Sequence, residues 1–365
     1  MKRVLTALSL LLVVFALSAC GTSNDNNNGS NGGGKKGYEL ALITDIGTID
    51  DKSFNQGAWE GLSKYAEENN ITYKYYQPSE KATDAYINSI DLAVEGGAKL
   101  VVCPGYLFEN AVYQVQDKYP DVKFIILDGQ PRSEDEQDLT INDNVYAIYY
   151  SEEQAGFLAG YAAVKEGYTK LGFMGGVAVP AVIRYGYGFA QGAEYAAKEL
   201  GIDKIDVKYH YANTFSATPE VQSMAASWYN QGTEVIFACG GAVGNSVMTA
   251  AEAANKKVIG VDVDQSTESE TVITSAMKQL SVSVYDGITA HYNGSFPGGK
   301  VLTLGATSDA VGLPLETSKF NTFSKADYDA IYAKLVSGEI QPYTNEKATD
   351  VSELKFEHVV VESVK

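Results

Sequence analysis

Cysteine, histidine and tryptophan are nearly missing from these 365 residues, at three, three and two respectively. The histidines, His210, His291 and His358, are scattered, and no Cys/His cluster has the spacing of a metal site, so no metal is expected. Cys103 and Cys239 each sit inside an apolar run and read as buried spacer thiols rather than a disulfide. Basic residues are also scarce: 28 Lys and Arg stand against 46 Asp and Glu, for a formal charge of −18. Such a surface repels phosphate backbones and anionic lipid, so no nucleic-acid partner is expected. There is no Gly-x-Ser-x-Gly elbow and no histidine at a strand end. Carboxylates alone can form a glycosidase pair, but nothing here requires an enzyme, and neither a catalytic residue nor a cofactor is assigned.

Long apolar runs are lacking as well, except near the start. Lys2 and Arg3 precede an apolar run from Leu8 to Leu17, too short to span a membrane and followed by small residues. That pattern reads as a secretory signal over residues 1–19. Leu17-Ser18-Ala19-Cys20 resembles the bacterial lipobox, which implies cleavage before Cys20 and a diacylglycerol on its thiol. The alternative is an ordinary signal peptide with a chance cysteine. Residues 22–36 are almost entirely Asn, Gly and Ser, a flexible tether. Losing Lys2 and Arg3 with the leader takes the charge from −18 to −20. The mature protein is expected on the outer face of the cell membrane, held there by lipid.

What the chain does have is a repeated alternation of apolar strand-like runs and helix-like segments. The first series includes runs at 40–44, 71–76, 100–103 and 124–127, and the second runs at 170–174, 207–211, 235–239 and 258–263. Near-continuous apolar strands separated by helices predict an α/β fold with parallel sheets covered on both faces. In each half, strands run out into Gly or Asp: Asp45, Gly105 and Asp128, then Gly176, Gly241 and Asp262. Two doubly wound domains, hinged and facing each other across a ligand cleft, are the economical solution. The expected division is a first lobe over 37–150 with a later return over about 271–315, and a second lobe over 151–270 with C-terminal segments over about 316–365.

The loop Asp45-Ile46-Gly47-Thr48-Ile49-Asp50-Asp51-Lys52-Ser53-Phe54-Asn55 leaves the first strand and enters the first helix, and forms one wall of the predicted cleft. Carboxylates at Asp45, Asp128, Asp262 and Asp264 only accept hydrogen bonds, which suits a neutral ligand rich in hydroxyl or N–H donors. Phe54, Tyr185 and Phe215, in or beside loops, offer flat faces for a ring. Acidic acceptors with aromatic plates suggest a sugar, or a sugar bearing a base. Structural readings compete with these: an Asx turn for Asp45, a helix cap for Asp51, and core packing for the three aromatics. Two glycine-rich runs are decoys. Gly294-Ser295-Phe296-Pro297-Gly298-Gly299-Lys300 is followed by Val301 where a phosphate-binding loop needs Ser or Thr. Residues 186–192 miss the dinucleotide fingerprint by one residue and fall in a helical stretch.

With these residues in view, the chain resembles the basic membrane protein family of bacterial lipoproteins, and particularly its purine-nucleoside receptors. The resemblance runs from Tyr38 to about Leu315 and rests on several stretches. These are Asp50 to Gln56, Gln154 to Gly160, Gly175-Gly176 with Pro180 and Tyr185 to Phe189, Ile259 to Gln265, and Thr274 to Lys278. It implies a type I periplasmic-binding fold and a solute-binding role beside an ABC transporter permease, as a monomer. It further implies that Asp45 and Phe54 read and stack a base, with Asn55 beside them, and that Asp128 and Asp262 hold ribose hydroxyls. Lys278 and Gly241 are implied to reach the ligand, and Phe215, or else Tyr185, to close the aromatic sandwich. The chain departs from the pattern at Ile46 and Tyr185, where the family can carry a polar residue and phenylalanine. A free sugar or other small metabolite is the alternative ligand.

Overall fold

The computed structural model describes residues 37–344 and 350–364. The expected signal peptide, the lipidated Cys20 and the tether lie outside the described residues.

Strand and helix alternate through Leu40–Ile43 (β1), Phe54–Asn69 (α1), Tyr73–Tyr76 (β2), Thr83–Glu95 (α2), Leu100–Pro104 (β3), Glu109–Lys118 (α3), Lys123–Leu127 (β4) and Val145–Tyr150 (β5). A second series follows: Glu152–Lys165 (α4), Lys170–Gly175 (β6), Pro180–Leu200 (α5), Ile205–Tyr211 (β7), Pro219–Asn230 (α6), Val235–Cys239 (β8), Val243–Ala254 (α7), Lys257–Asp262 (β9) and Val272–Lys278 (β10). The chain closes with Leu280–Tyr292 (α8), Lys300–Leu304 (β11), Val311–Gly312 (β12), Lys325–Val336 (α9) and Val359–Ser363 (β13). One sheet has the order β11-β5-β4-β3-β1-β2 and the other β12-β10-β9-β8-β6-β7-β13. Their pairings are parallel except for β10 with β12. The central strands are apolar because helices cover both faces: every residue of β1, β3 and β8 is buried.

The return to the first lobe is shorter than expected. Residues 272–278 do not cross back, because β10 runs parallel to β9 in the second sheet. Only α8 and β11 return, β11 pairing with β5, and Val311 and Gly312 are already paired with β10. An apolar run advertises burial, not which sheet edge it will join. The chain therefore crosses between lobes three times, at Ser151, Gln279 and Gly305. These crossings are tied together: Ser151 N–H donates to the Leu304 carbonyl at 2.8 Å and Ala306 N–H to Gln154 Oε1 at 2.7 Å. Three short adjacent connections make a hinge.

The glycines of two singled-out motifs turn out to serve packing. A Cβ on Gly156 or Gly160 of α4 would collide with the α5 backbone at Tyr185 and Phe189. One on Gly188 or Gly192 of α5 would collide with the α4 backbone at Glu153 and Phe157. The two helices cross in direct backbone contact, so this spacing is a helix-packing signature rather than a cofactor loop. Residues 294–299 link α8 to β11 as a turn.

Candidate functional site

Between the lobes lies a partly open cavity in which the centre of a water-sized sphere can move through about 60 Å³. All nine predicted ligand-binding positions border it. Five of them stand at or just past the carboxyl ends of strands in both sheets, where open α/β folds collect ligands. Asp45 follows β1, Asp128 follows β4, Gly241 follows β8, and Asp262 and Lys278 end β9 and β10.

The two lobes place their aspartates alike. Asp128 has φ +56° and Asp262 φ +66°, both left-handed. That conformation costs most side chains about 1–2 kcal/mol, and Asp is among the few that visit it routinely. Backbone strain held at a site of this kind accompanies function. Asp45 is fastened differently: its Oδ1 accepts from Gly47 N–H at 2.6 Å and from Asn55 Nδ2 at 2.8 Å. Asn55 Oδ1 in turn accepts the Asp45 N–H at 3.2 Å. Both bonds to the Asp45 carboxylate fall on one oxygen, Oδ1. Asp51 does cap α1, accepting from the N–H groups of Ser53, Asn55 and Gln56 at 2.9, 3.0 and 3.1 Å. Burial pushes the pKa of Asp51 up to about 6 despite these bonds.

Lys278 is the electrostatic centre. Its side chain is 2 % exposed, and Nζ lies 2.5 Å from Asp128 Oδ2, 3.2 Å from Glu152 Oε1 and 3.7 Å from Asp262 Oδ1. Burial disfavours its charge, but the three carboxylates outweigh burial and raise its pKa above the ordinary lysine value. The same ammonium stands 4.7 Å from the Phe54 ring centroid, a cation–π contact. Desolvation raises the pKa of Asp45, Asp128 and Asp262, with Lys278 pulling the latter two back. Among the described residues five buried side-chain atoms lack a hydrogen bond, and Asp128 Oδ1 is the one of them that belongs to a cavity-lining residue. A buried carboxylate oxygen left unpaired is costly, and a donor in the cavity would relieve it.

The aromatics differ in station. Phe54 opens α1 from the first lobe, and Phe215 lies on the β7–α6 loop of the second, both half-buried. Tyr185 is fully buried. Its hydroxyl donates to the Ala276 carbonyl at 3.2 Å and to Asp262 Oδ1 at 3.4 Å, and its ring meets Phe237 edge-on. It steadies Asp262 as much as it lines the cavity. Asp264 does not belong to the site, because its oxygens accept from Ser266 N–H and Thr317 Oγ1. Two residues past the strand end, its side chain faces the neighbouring loop. Ile46 packs against the first-lobe core and does not border the cavity.

Sequence reasoning missed Glu152 and Arg184. Glu152 is fully buried at the start of α4, held by Lys278 and by Arg184 Nε at 2.6 Å. Burial pushes its pKa up, but Arg184 and Lys278 outweigh that and leave it lowered. A signal was present: Glu152 and Glu153 open a helix that is otherwise almost wholly apolar, where a buried acid needs a cation.

Two parallel-sheet lobes, hinged by three crossings on either side of a cavity bordered by carboxylates, a lysine and aromatic rings, form a type I periplasmic-binding fold. A family model described as Bmp, ABC transporter substrate-binding protein PnrA-like, matches residues 39–346, and the chain belongs to that family. Similar proteins include the CD4+ T-cell-stimulating antigen of Listeria monocytogenes, 32% identical over 93% of this chain and 99% of that one. The ABC transporter nucleoside-binding protein BmpA of Lactococcus lactis is 30% identical over 92% and 98%. Basic membrane protein B of Borreliella burgdorferi is 32% identical over 76% and 81%. An ABC transporter solute-binding protein from Aeropyrum pernix shares the fold with a TM-score of 0.76 at 21% identity, covering 87% of this chain and 96% of that one. Another from Conexibacter woesei does so with a TM-score of 0.66 at 22% identity, covering 84% and 99%. As a family member, the protein captures a small molecule outside the cytoplasm for a membrane permease, and is a binding component rather than an enzyme.

Proposed function

We propose that the captured solute is a nucleoside, and specifically a purine nucleoside. The observation that carries this reading is the buried, unpaired Asp128 Oδ1 at a cavity also bordered by Phe54 and Phe215. Asp128 and Asp262, one from each lobe, accept the ribose hydroxyls. Asp45, oriented by Asn55, accepts an N–H of the base. Phe54 and Phe215 enclose the base from opposite lobes, and Gly241, at φ +56°, lets backbone approach where a side chain would be strained. Carboxylates outnumber the buried cations Lys278 and Arg184, which disfavours anionic solutes such as nucleotides. The relative in Lactococcus lactis is named for nucleoside binding, which supports the same ligand class.

A thermal-unfolding scan of residues 37–365 against nucleosides, free bases and sugars tests this. A ligand that binds only the folded state raises the midpoint by mass action. The expected result is a shift of several degrees with purine nucleosides and none with ribose or base alone. A shift with a free sugar and none with any nucleoside would replace the nucleoside by a sugar.

We further propose that Cys20 carries the lipid anchor and that residues 1–19 are removed. What supports the anchor is the Leu17-Ser18-Ala19-Cys20 pattern after a short apolar run. Cys20→Ala is expected to move the protein from the membrane fraction to the soluble one. Retention in the membrane fraction would refute the anchor.

A further inference from the structure

The loop between β1 and α1 has two ends with different surroundings. Asp45 and Phe54 border the cavity, whereas Lys52 faces the second lobe outside it. Gln265 Nε2 donates to the Lys52 carbonyl across the lobes at 2.7 Å, and Lys52 Nζ stands 3.8 Å from Glu268 Oε1. Gln265 is 1 % exposed and clamped within its own lobe. Its Oε1 accepts the Val261 N–H at 3.1 Å, and its backbone N–H donates to Ser275 Oγ at 3.0 Å. On the other side, Lys52 is held left-handed, at φ +61°, beside the Asp51 cap that pins the start of α1. One turn into α1, a Cβ on Gly57 would lie 2.9 Å from Val263 Cγ1 of the second lobe and 3.0 Å from Leu280 Cδ1 on α8 of its own lobe. None of Lys52, Gly57, Val263 or Gln265 borders the cavity.

We infer that the Gln265–Lys52 bond is a latch that, beside the cross-lobe contacts Ser53–Asp262 and Lys278–Asp128, lengthens the lifetime of the closed receptor, making Gln265 a positioning residue for ligand retention that never touches the ligand. The inference rests on the reading of the chain as a receptor that closes on its solute. The cavity is bordered by residues of both lobes, so parting the lobes widens the way out for a solute. Opening separates a rigidly held amide from a rigidly held carbonyl, so the bond is lost whole rather than stretched. A neutral hydrogen bond of this kind is worth about a three- to tenfold change in an equilibrium. The change falls on release, because association passes through the open state, where the latch is unmade.

The test compares the wild type with two variants, Gln265→Met and Gly57→Ala. The first removes the donor, while the second adds a methyl group that presses on Val263 across the lobes and on Leu280 within its own lobe. Should the buried Gln265 variant fail to fold, the Gly57 variant carries the test. Small-angle scattering of the unliganded proteins is expected to show a larger radius of gyration in the variants. Stopped-flow release of a purine nucleoside is expected to be three- to tenfold faster, with association not slowed. The preference between two nucleosides should be unchanged, whereas a residue in the binding site would alter it. Unchanged scattering together with unchanged release overturns the latch. If the wild type binds no nucleoside, the ligand reading fails, and scattering alone still decides whether the latch exists.

Discussion

Lys278→Met is expected to destabilise the protein by about 3–5 kcal/mol at pH 7.5, measured by denaturant unfolding. The substitution keeps an apolar stem of similar length and removes only the ammonium. Asp128, Glu152 and Asp262 are then left around a site without that cation, and Glu152, fully buried, keeps only Arg184. The loss should shrink as pH falls. Asp128 and Asp262 already have folded-state pKa values raised by burial, and removing the lysine raises them further. A carboxylate whose pKa is higher folded than unfolded binds more protons in the native state between those two values, so stability falls as pH rises through that window. The variant should therefore lie closest to the wild type near pH 5 and farthest from it above pH 7. A deficit independent of pH would mean that Lys278 acts through packing instead of charge.

Asp128→Asn is expected to weaken purine-nucleoside binding by about 2 kcal/mol, roughly 30-fold in Kd by calorimetry. Asparagine accepts the left-handed backbone at this position and keeps an oxygen for Lys278, so the fold should persist. What it loses is the charged acceptor at Oδ1, a buried atom without a partner beside the cavity. The cost should depend on the ligand: a 2′,3′-dideoxynucleoside, which offers no hydroxyl pair, should lose far less between wild type and variant. Equal losses for the two ligands would remove the ribose from Asp128 and assign the aspartate to holding Lys278.

These two residues show where sequence reading is strong and where it stops. The aspartates at strand ends, the apolar strands and the loop from Asp45 to Asn55 are local features. Each states its own chemistry: acceptors, a buried sheet, a turn into a helix. The caps are equally local, and Asp51 fastens α1 through residues two to five positions away. By contrast, Lys278 meets Asp128 across 150 positions and Glu152 across 126, and no periodicity carries such pairings. Asp264 had the same credentials as Asp262 and lies outside the cavity, since a shift of two residues past a strand end changes which loop a side chain meets.

The sequence by itself determined the kind of protein this is. Its alternation of apolar strands and helices required parallel sheets, its repeat required two lobes, and its acidic strand ends offered acceptors suited to a neutral, donor-rich ligand. Only the tertiary structure decided which lobe owns β10, that Glu152 and Arg184 complete the charge network, and that Gln265 reaches Lys52 across the cleft. The division has a physical cause. Hydrophobic patterning and turn chemistry act over a few residues and are written in order along the chain. The balance of buried charge depends on which distant groups the fold brings within about 4 Å, where low dielectric makes each pairing count.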